Sequence, residues 1–299
     1  MRVYRTFEGL PNRVRTVVIG NLDGVHVGHQ ALLNAAQRWE ECLTVLTFEP
    51  HPKEFFTHTP SRLMRLNEKL RFLNGCGVDE VIVAHFNQEF AQQSGEFFAR
   101  QIMKNKLHAR RVVVGEGFKF GYKQSGNEQT LMEAGVDVCT QGSQMRAGGI
   151  VSSTRIRDLI QGGQLAQAEE LLGHGFGVRG RVFEGQKLGR TLGFPTANLH
   201  WHRSRLPLKG IYAVKVHGVR EAHPWPGVAS LGERPTVGGT GVWLEVHLLD
   251  FNGDLYGRTL SVELCSKLRD EVKFDSLDAL VTQMHEDAKQ ARAILKAGL

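Results

Sequence analysis

Four short apolar runs, at residues 14–19, 43–48, 80–84 and 111–114, alternate with stretches at helical spacing, at 30–38, 66–73 and 95–103. Each run is too short for a buried helix and lacks the polar alternation of a strand with one wet face. They read instead as strands covered on both sides, the pattern of a parallel sheet with helices on its faces. Two prolines in Glu49-Pro50-His51-Pro52 forbid regular structure just after the second run. Two short helical segments follow at 155–161 and 165–172, and then the glycines of Gly173-His174-Gly175-Phe176-Gly177 mark a domain boundary. Beyond it the pattern changes. Short strands at 176–183, 210–217, 227–231, 242–251 and 259–264 are separated by Gly, Pro, Asn and Asp with no helix between them, which predicts an antiparallel β-barrel. A last helix from Ser276 carries Leu277, Leu280, Val281, Met284, Ala288, Ala291 and Leu295 as a packing stripe. The fold class is therefore α/β followed by β, with domains at 1–174 and 175–299.

Composition adjusts this picture only a little. The 299 residues suffice for two cores, and 41% apolar with 23% charged residues is ordinary for a soluble globular protein. A net charge of +6 favours anionic ligands. The basic residues are scattered, which argues against a nucleic-acid partner. Cys42, Cys76, Cys139 and Cys265 form no Cys-x-x-Cys pair and read as reduced thiols. No stretch approaches the roughly 18 apolar residues of a membrane span. A cytoplasmic location without membrane attachment is expected, and no motif specifies an oligomeric state.

Chemistry concentrates first at Gly20-Asn21-Leu22-Asp23-Gly24-Val25-His26-Val27-Gly28-His29, between the first strand and first helix. Glycines let the backbone turn close to a ligand, and the helix start gathers N–H groups that suit phosphate. His26 and His29, three apart, would point the same way. The plain alternative is a strand-to-helix turn with two surface histidines. In Gly115-Glu116-Gly117-Phe118-Lys119-Phe120-Gly121, Phe118 and Phe120 either stack on a planar ligand or simply pack on the sheet. In Val151-Ser152-Ser153-Thr154-Arg155, three hydroxyls and an arginine suit a triphosphate, although helix capping accounts for one hydroxyl. In the barrel half, Leu192-Gly193-Phe194-Pro195-Thr196-Ala197-Asn198 offers Thr196 and Asn198 oxygens to a hard cation on an irregular backbone. Strand alternation puts Glu245 and His247 on one face. Facing the barrel mouth, Glu245 would be a general base; facing outward, a solvated carboxylate.

Taken in order, these motifs resemble the bacterial bifunctional riboflavin kinase/FAD synthetase family over nearly the whole chain. The first half is similar to the family's FMN adenylyltransferase through residues 20–29, Thr47-Phe48-Glu49-Pro50-His51-Pro52 and Ser152-Ser153-Thr154-Arg155. The second half is similar to its riboflavin kinase through Gly193 to Asn198, Arg234-Pro235-Thr236, the Glu245 strand and Leu268-Arg269-Asp270-Glu271. The resemblance implies a Rossmann-like nucleotidyltransferase domain and a riboflavin kinase-like barrel. It implies ATP-dependent phosphorylation of riboflavin to FMN, then adenylylation of FMN to FAD with release of pyrophosphate, both with Mg²⁺. By the same resemblance Gly20, Asn21, Asp23, Gly28, Ser152, Ser153, Thr154 and Arg155 would hold one ATP, with His26 and His29 steadying its phosphates. Thr196 and Asn198 would hold Mg-ATP in the kinase, Glu245 would take the proton of the ribityl hydroxyl, and Phe118, Phe120, Arg269 and Glu271 would contact flavin.

The chain departs from the family pattern at Leu22, where phenylalanine is usual, and at Gly117 and Lys119, where the family carries aspartate and arginine. The latter two remove a carboxylate and a guanidinium fork from the flavin side of the adenylyltransferase pocket. Adenylylation with weaker FMN binding is expected. Two other readings are a riboflavin kinase with a degenerate nucleotide-binding first half, and a nucleic-acid-binding protein. The missing basic cluster and the absence of a Lys-Met-Ser-Lys-Ser stretch count against the second.

Overall fold

The computed structural model describes residues 1–57, 62–185, 188–200, 208–220, 223–236 and 239–296, with side chains 57, 188, 190, 200, 233–236 and 239–242 excepted. The chain divides into two compact units, Met1–Ser153 and Thr154–Leu299.

In the first unit, β1 (Arg2–Tyr4) precedes β2 (Arg15–Ile19), α1 (Val27–Ala36), β3 (Cys42–Glu49), α2 (Pro52–Thr57), α3 (Leu66–Gly75) and β4 (Glu80–His85). Then come α4 (Gln88–Ala91), α5 (Gly95–Phe97), β5 (Ala109–Gly115), α6 (Glu128–Glu133), β6 (Asp137–Gln141) and a small hairpin of β7 (Met145–Arg146) and β8 (Gly149–Ile150). Six of these strands form a wholly parallel sheet in the order β1-β4-β3-β2-β5-β6. Successive residues of the central strands feed opposite faces. Val17, Ile19, Ile82 and Val112 enter one core with Phe98, Ile102 and Met103, whereas Val18, Val45, Val81 and Val113 enter another with Leu33 and Leu73. Covering both faces is what the unbroken apolar runs require.

Three details differ from the sequence reading. Pro52 opens α2 instead of excluding helix, because the first helical position needs no N–H partner. The helix expected over 95–103 passes after one α turn into a π-helical stretch, Phe98–Lys106. The Leu107 N–H closes it on the Ile102 carbonyl at 2.9 Å, and this wider turn brings both Phe98 and Met103 into the core. The edge strands β1 and β6 carry too little apolar character to show in the sequence.

The second unit starts with α7 (Ser153–Gln161, its first residue closing the first unit) and α8 (Leu165–Leu172), followed by β9 (Gly177–Arg181), α9 (Leu188–Thr191) and β10 (Thr196–His200). It continues through β11 (Gly210–His217), β12 (Trp225–Thr236), β13 (Gly239–Leu248) and β14 (Thr259–Arg269) to α10 (Leu277–Lys296). The six strands are antiparallel in the order β10-β13-β12-β11-β14-β9. An isolated bridge between Phe183, just beyond β9, and Asn198 on the opposite edge strand draws the sheet round into a near-barrel. The expected stripe on α10 packs through Ala288, Ala291 and Leu295, with Val281 and Met284 beside them, against Phe194, Ala213 and Leu249. Leu277, expected to lead the stripe, is instead exposed on the first turn of the helix. The segment 194–198, expected to be irregular, becomes the strand β10 from Thr196 onward because it finds β13 as a partner.

Arg15, fully buried at the start of β2, donates to Glu80 at the start of β4 (2.9 Å) and to the carbonyls of Leu107 (2.9 Å) and Pro11 (3.0 Å). It ties the amino ends of the strands together, leaving their carboxyl ends to ligands. Removing one member of a buried pair strands the other charge. Arg15→Ala is expected to destabilise the first unit by about 3–5 kcal/mol, read as a lower urea midpoint.

Candidate active sites

The turn from β2 into α1 is held in an unusual backbone conformation. Leu22 (φ 47°), Gly24 (φ 83°) and Val25 (φ 36°) are all left-handed, and only glycine adopts that shape readily. Leu22 and Val25 endure it because both side chains are buried in the core beneath α1. Backbone strain of this kind persists only where its surroundings impose it, and it clusters at functional sites. His26 is the N-cap of α1, its Nδ1 accepting from the His29 N–H at 3.3 Å. That bond leaves the proton of neutral His26 on Nε2. The rings of His26 and His29 point the same way, as their spacing predicts, and stack with centroids 3.5 Å apart. Gly28 makes room for this, since a Cβ there would stand 3.1 Å from the His26 ring. Burial, then His26, then Lys69, pushes the pKa of His29 well below its usual 6.5, so His29 is neutral and offers an N–H rather than a charge. Its Nδ1 is buried and has no hydrogen-bond partner among the described residues.

Other residues of the turn are structural ties. The Asp23 carboxylate, expected near nucleotide, accepts from the backbone N–H of Leu63 and Met64 at 3.0 Å each. Ser153 Oγ donates to the Asp23 carbonyl at 2.9 Å. Ser152 is half-buried beside the start of α7, while Thr154 (exposed) and Arg155 (half-buried) belong to the second unit. Sequence reasoning missed Lys69. Its ammonium donates to the Asn21 carbonyl (2.7 Å) and to Thr47 Oγ1 (3.1 Å), and Thr47 donates to the same carbonyl (3.2 Å). Desolvation lowers the Lys69 pKa, opposed first by Asp23 and Glu49. A signal was present, because Lys69 lies on the stripe Leu66, Lys69, Leu70, Leu73 of α3, where an apolar residue belongs.

Gly20 and Asn21 lie at the carboxyl end of β2 and line a cavity of about 560 Å³. Its other walls are largely aromatic: Phe48, Phe86, Phe90, Phe98, Phe118 and Phe120 among them. Phe118 and Phe120 stack on each other with centroids 5.6 Å apart and pack on the sheet core, as the plainer of the two readings expected, while both also line the cavity. Gly117 has a left-handed backbone (φ 72°) with nothing within 4 Å of a Cβ, and Lys119 sits exposed on the rim. Neither departure fills the cavity. His26 and His29 are not among its lining residues; they stand beyond Asn21 along the turn.

In the barrel, register shows which residues stand opposite one another. β10 and β13 pair Asn198 with Glu245 and Thr196 with His247, while β12 places Ser230 opposite Glu245. Directly opposed residues share a face, so Thr196, Asn198, Glu245 and His247 stand together, with Ala197, Leu199, Leu244 and Val246 buried on the other. His247 Nδ1 meets the Pro195 carbonyl at 2.9 Å, and burial lowers its pKa. Thr196 lines a cavity of about 310 Å³ with Phe251, Asn252, Asp254 and Tyr256. Gly185 presses on Asn198, where a Cβ would come within 2.5 Å of its amide. The glycines Gly185 and Gly189 around this loop were the overlooked sequence signal. Glu271 is exposed on its own but reaches back to β12, since a Cβ on Gly232 would lie 2.2 Å from its carboxylate. Arg269, expected at flavin, instead gives its guanidinium to Asp287 on α10 at 2.7 to 3.1 Å. The side chains of Arg234, Pro235 and Thr236 lie outside the described residues.

Among the described residues no group of three His, Cys, Asp or Glu side chains is gathered to hold a metal. Thr196 and Asn198 present neutral hard oxygens next to the close-approaching Gly185, which suits Mg²⁺ carried mainly by nucleotide phosphates. Neutral His29 carries a pH consequence. The unfolded chain takes up a proton near 6.5, whereas the folded chain resists, so stability should fall as pH drops below 6.5. His29→Gln should flatten that dependence in denaturation midpoints taken between pH 7.5 and pH 5.5.

The family models for FAD synthetase and riboflavin kinase match residues 11–155 and 172–295. The bifunctional riboflavin kinase/FMN adenylyltransferase of Haemophilus influenzae is 43% identical over 305 residues, covering 97% of this chain and 99% of the relative. That of Escherichia coli K12 is also 43% identical, covering 98% and 97%, and that of Pseudomonas fluorescens is 44% identical, covering 92% and 91%. A crystal structure described as a macrolide-efflux protein from Streptococcus pneumoniae is similar at 32% identity and TM-score 0.84, covering 97% of this chain and 98% of that one. Among the described residues no helix is long and apolar enough to cross a membrane. With both halves matched in order and relatives aligned end to end, the chain belongs to the bifunctional riboflavin kinase/FMN adenylyltransferase family.

Proposed function

We propose that this cytoplasmic protein converts riboflavin to FMN in its second half and FMN to FAD in its first, with residues 1–174 and 175–299 as the two working segments. The observation that carries the reading is the aromatic cavity lined at one end by Gly20 and Asn21. It sets a place for a flat ring beside a turn built for phosphate, so the first half is an intact site and not a vestige.

In the kinase half, Glu245 takes the proton of the ribityl 5′-hydroxyl as that oxygen attacks the γ-phosphorus of ATP, and ADP departs. Its place opposite Asn198 supports the role, because the base then stands beside the phosphate-holding residues. Thr196 and Asn198 hold Mg-ATP, the ion neutralising phosphate charge when bound. In the first half a phosphate oxygen of FMN attacks the α-phosphorus of a second ATP, and pyrophosphate departs. His26 and His29 donate N–H groups to the phosphates, and Gly20, Asn21 and Gly28 bring the backbone close. Within the same unit the Ser152 hydroxyl adds a donor, and Ser153 braces the turn through the Asp23 carbonyl. Phosphoryl transfer of either kind needs positioning and charge neutralisation more than a covalent nucleophile. Phe118 and Phe120 hold the flavin ring, and Glu271 borders the kinase's flavin.

Chromatographic separation of flavins after incubation with riboflavin, ATP and Mg²⁺ tests the whole reading. FMN should appear first and FAD after it; FMN without FAD would leave only the kinase. Glu245→Gln should slow FMN formation by about 10²- to 10⁴-fold, the usual worth of a general base, and leave FAD formation from supplied FMN unchanged. Equal loss of both activities would overturn the assignment of Glu245.

A further inference from the structure

Within the aromatic cavity two amide oxygens are buried without a hydrogen-bond partner among the described residues. One is that of Asn21, in the turn built for phosphate; the other is Oε1 of Gln93, in the aromatic wall, where a polar group is out of keeping with its surroundings. The other glutamines and lysines of the lining, Gln88, Gln92, Gln124, Lys119 and Lys123, are exposed at the rim. A buried amide oxygen left unsatisfied is costly, so its retention points to a donor supplied by the ligand.

The backbone around Gln93 is rigidly placed. Its carbonyl accepts from the Tyr122 N–H at 2.8 Å, and the Gly95 N–H donates to Ser125 Oγ at 3.0 Å. Three glycines let the two segments touch: a Cβ on Gly95 would lie 2.4 Å from Gly126 Cα, and one on Gly121 would lie 2.4 Å from Gly95 N. Phe120 and Gly126 exchange N–H···O bonds of 3.0 and 2.9 Å, closing the loop that carries Phe120. Gln93 and the ring-stacking wall are thus fixed to one another before any ligand arrives, the condition for reading a hydrogen-bonding pattern with little ordering cost.

Resting on the adenylyltransferase reading above, we propose that Gln93 is a specificity-determining residue that reads the imide edge of the flavin ring. An isoalloxazine is aromatic over most of its outline and polar at one edge, where N3–H lies between two carbonyls. A carboxamide is its complement: Oε1 accepts from N3–H and Nε2 donates to a neighbouring carbonyl. The aromatic walls hold the ring, and Gln93 sets which way round it lies, so that the ribityl phosphate leads toward Gly20 and Asn21.

The test uses the full-length protein making FAD from FMN or from N3-methyl-FMN, which keeps the ring and loses the donor. A site that hydrogen-bonds a buried donor discriminates strongly against an analogue lacking it. Wild type should favour FMN by about 10²-fold or more in kcat/KM. Gln93→Leu should raise KM for FMN, leave KM for ATP unchanged, and bring the two flavins to within about tenfold of each other. Equal use of both flavins by wild type overturns the proposal, whether or not the variant folds. So does a Gln93→Leu enzyme that still discriminates, or one whose loss appears in KM for ATP, which would put adenine at Gln93. Failure of wild type to make FAD from FMN at all would instead overturn the adenylyltransferase reading itself.

Discussion

The buried ammonium of Lys69 on the carbonyl of Asn21 is the contact on which the first half depends. A turn with left-handed Leu22, Gly24 and Val25 would relax if it stood alone. Lys69 and Thr47 grip it at Asn21, from α3 and β3, and Asp23 grips the segment before α3 in return. These bonds tie the turn to neighbours on two sides. Because the sheet is parallel, the turn lies where ligands gather, at the carboxyl ends of the strands. Arg15 and Glu80 do the complementary work at the other ends.

The two halves reach the same goal by different physics. In the first, the backbone is bent and held so that N–H groups and two neutral imidazoles converge, and charge comes from a lysine kept beneath the turn. In the second, a flat register suffices: pairing Asn198 with Glu245 across β10 and β13 sets acid and amide side by side without any strained residue. A slip of one residue in that pairing would turn Glu245 into the core and Leu244 outward. The burial of Leu244 and Val246 on the opposite face therefore fixes the position of Glu245 as firmly as any hydrogen bond does.

Much of this was legible in the chain itself. Continuous apolar runs announced the central strands, the spacing of His26 and His29 announced that both rings lie on one side, and α10 followed its stripe beyond Leu277. What escaped depended on partners distant in sequence. Thr196 to His200 looks like a turn until β13 lies beside it, and the tie between Arg269 and Asp287, 18 residues later, carries no signature in the sequence. The bonds from the amides of Leu63 and Met64 to the Asp23 carboxylate were likewise hidden, because those amides carry no signature of their own. Lys69 was visible as a charge on an apolar stripe, a mismatch of the kind that marks a site. Gln93 was not visible at all, since only the assembled cavity shows its amide oxygen to be buried.

If each half holds its own ATP, the two presenting different phosphorus atoms to one flavin, isotope placement reads the arrangement directly. Riboflavin should be incubated in separate experiments with ATP labelled at the γ- or the α-phosphorus, and the flavin products separated. The γ-label should enter FMN and persist in FAD, while the α-label should enter FAD alone. An α-label that never enters flavin, or FMN that carries no γ-label, would contradict the account.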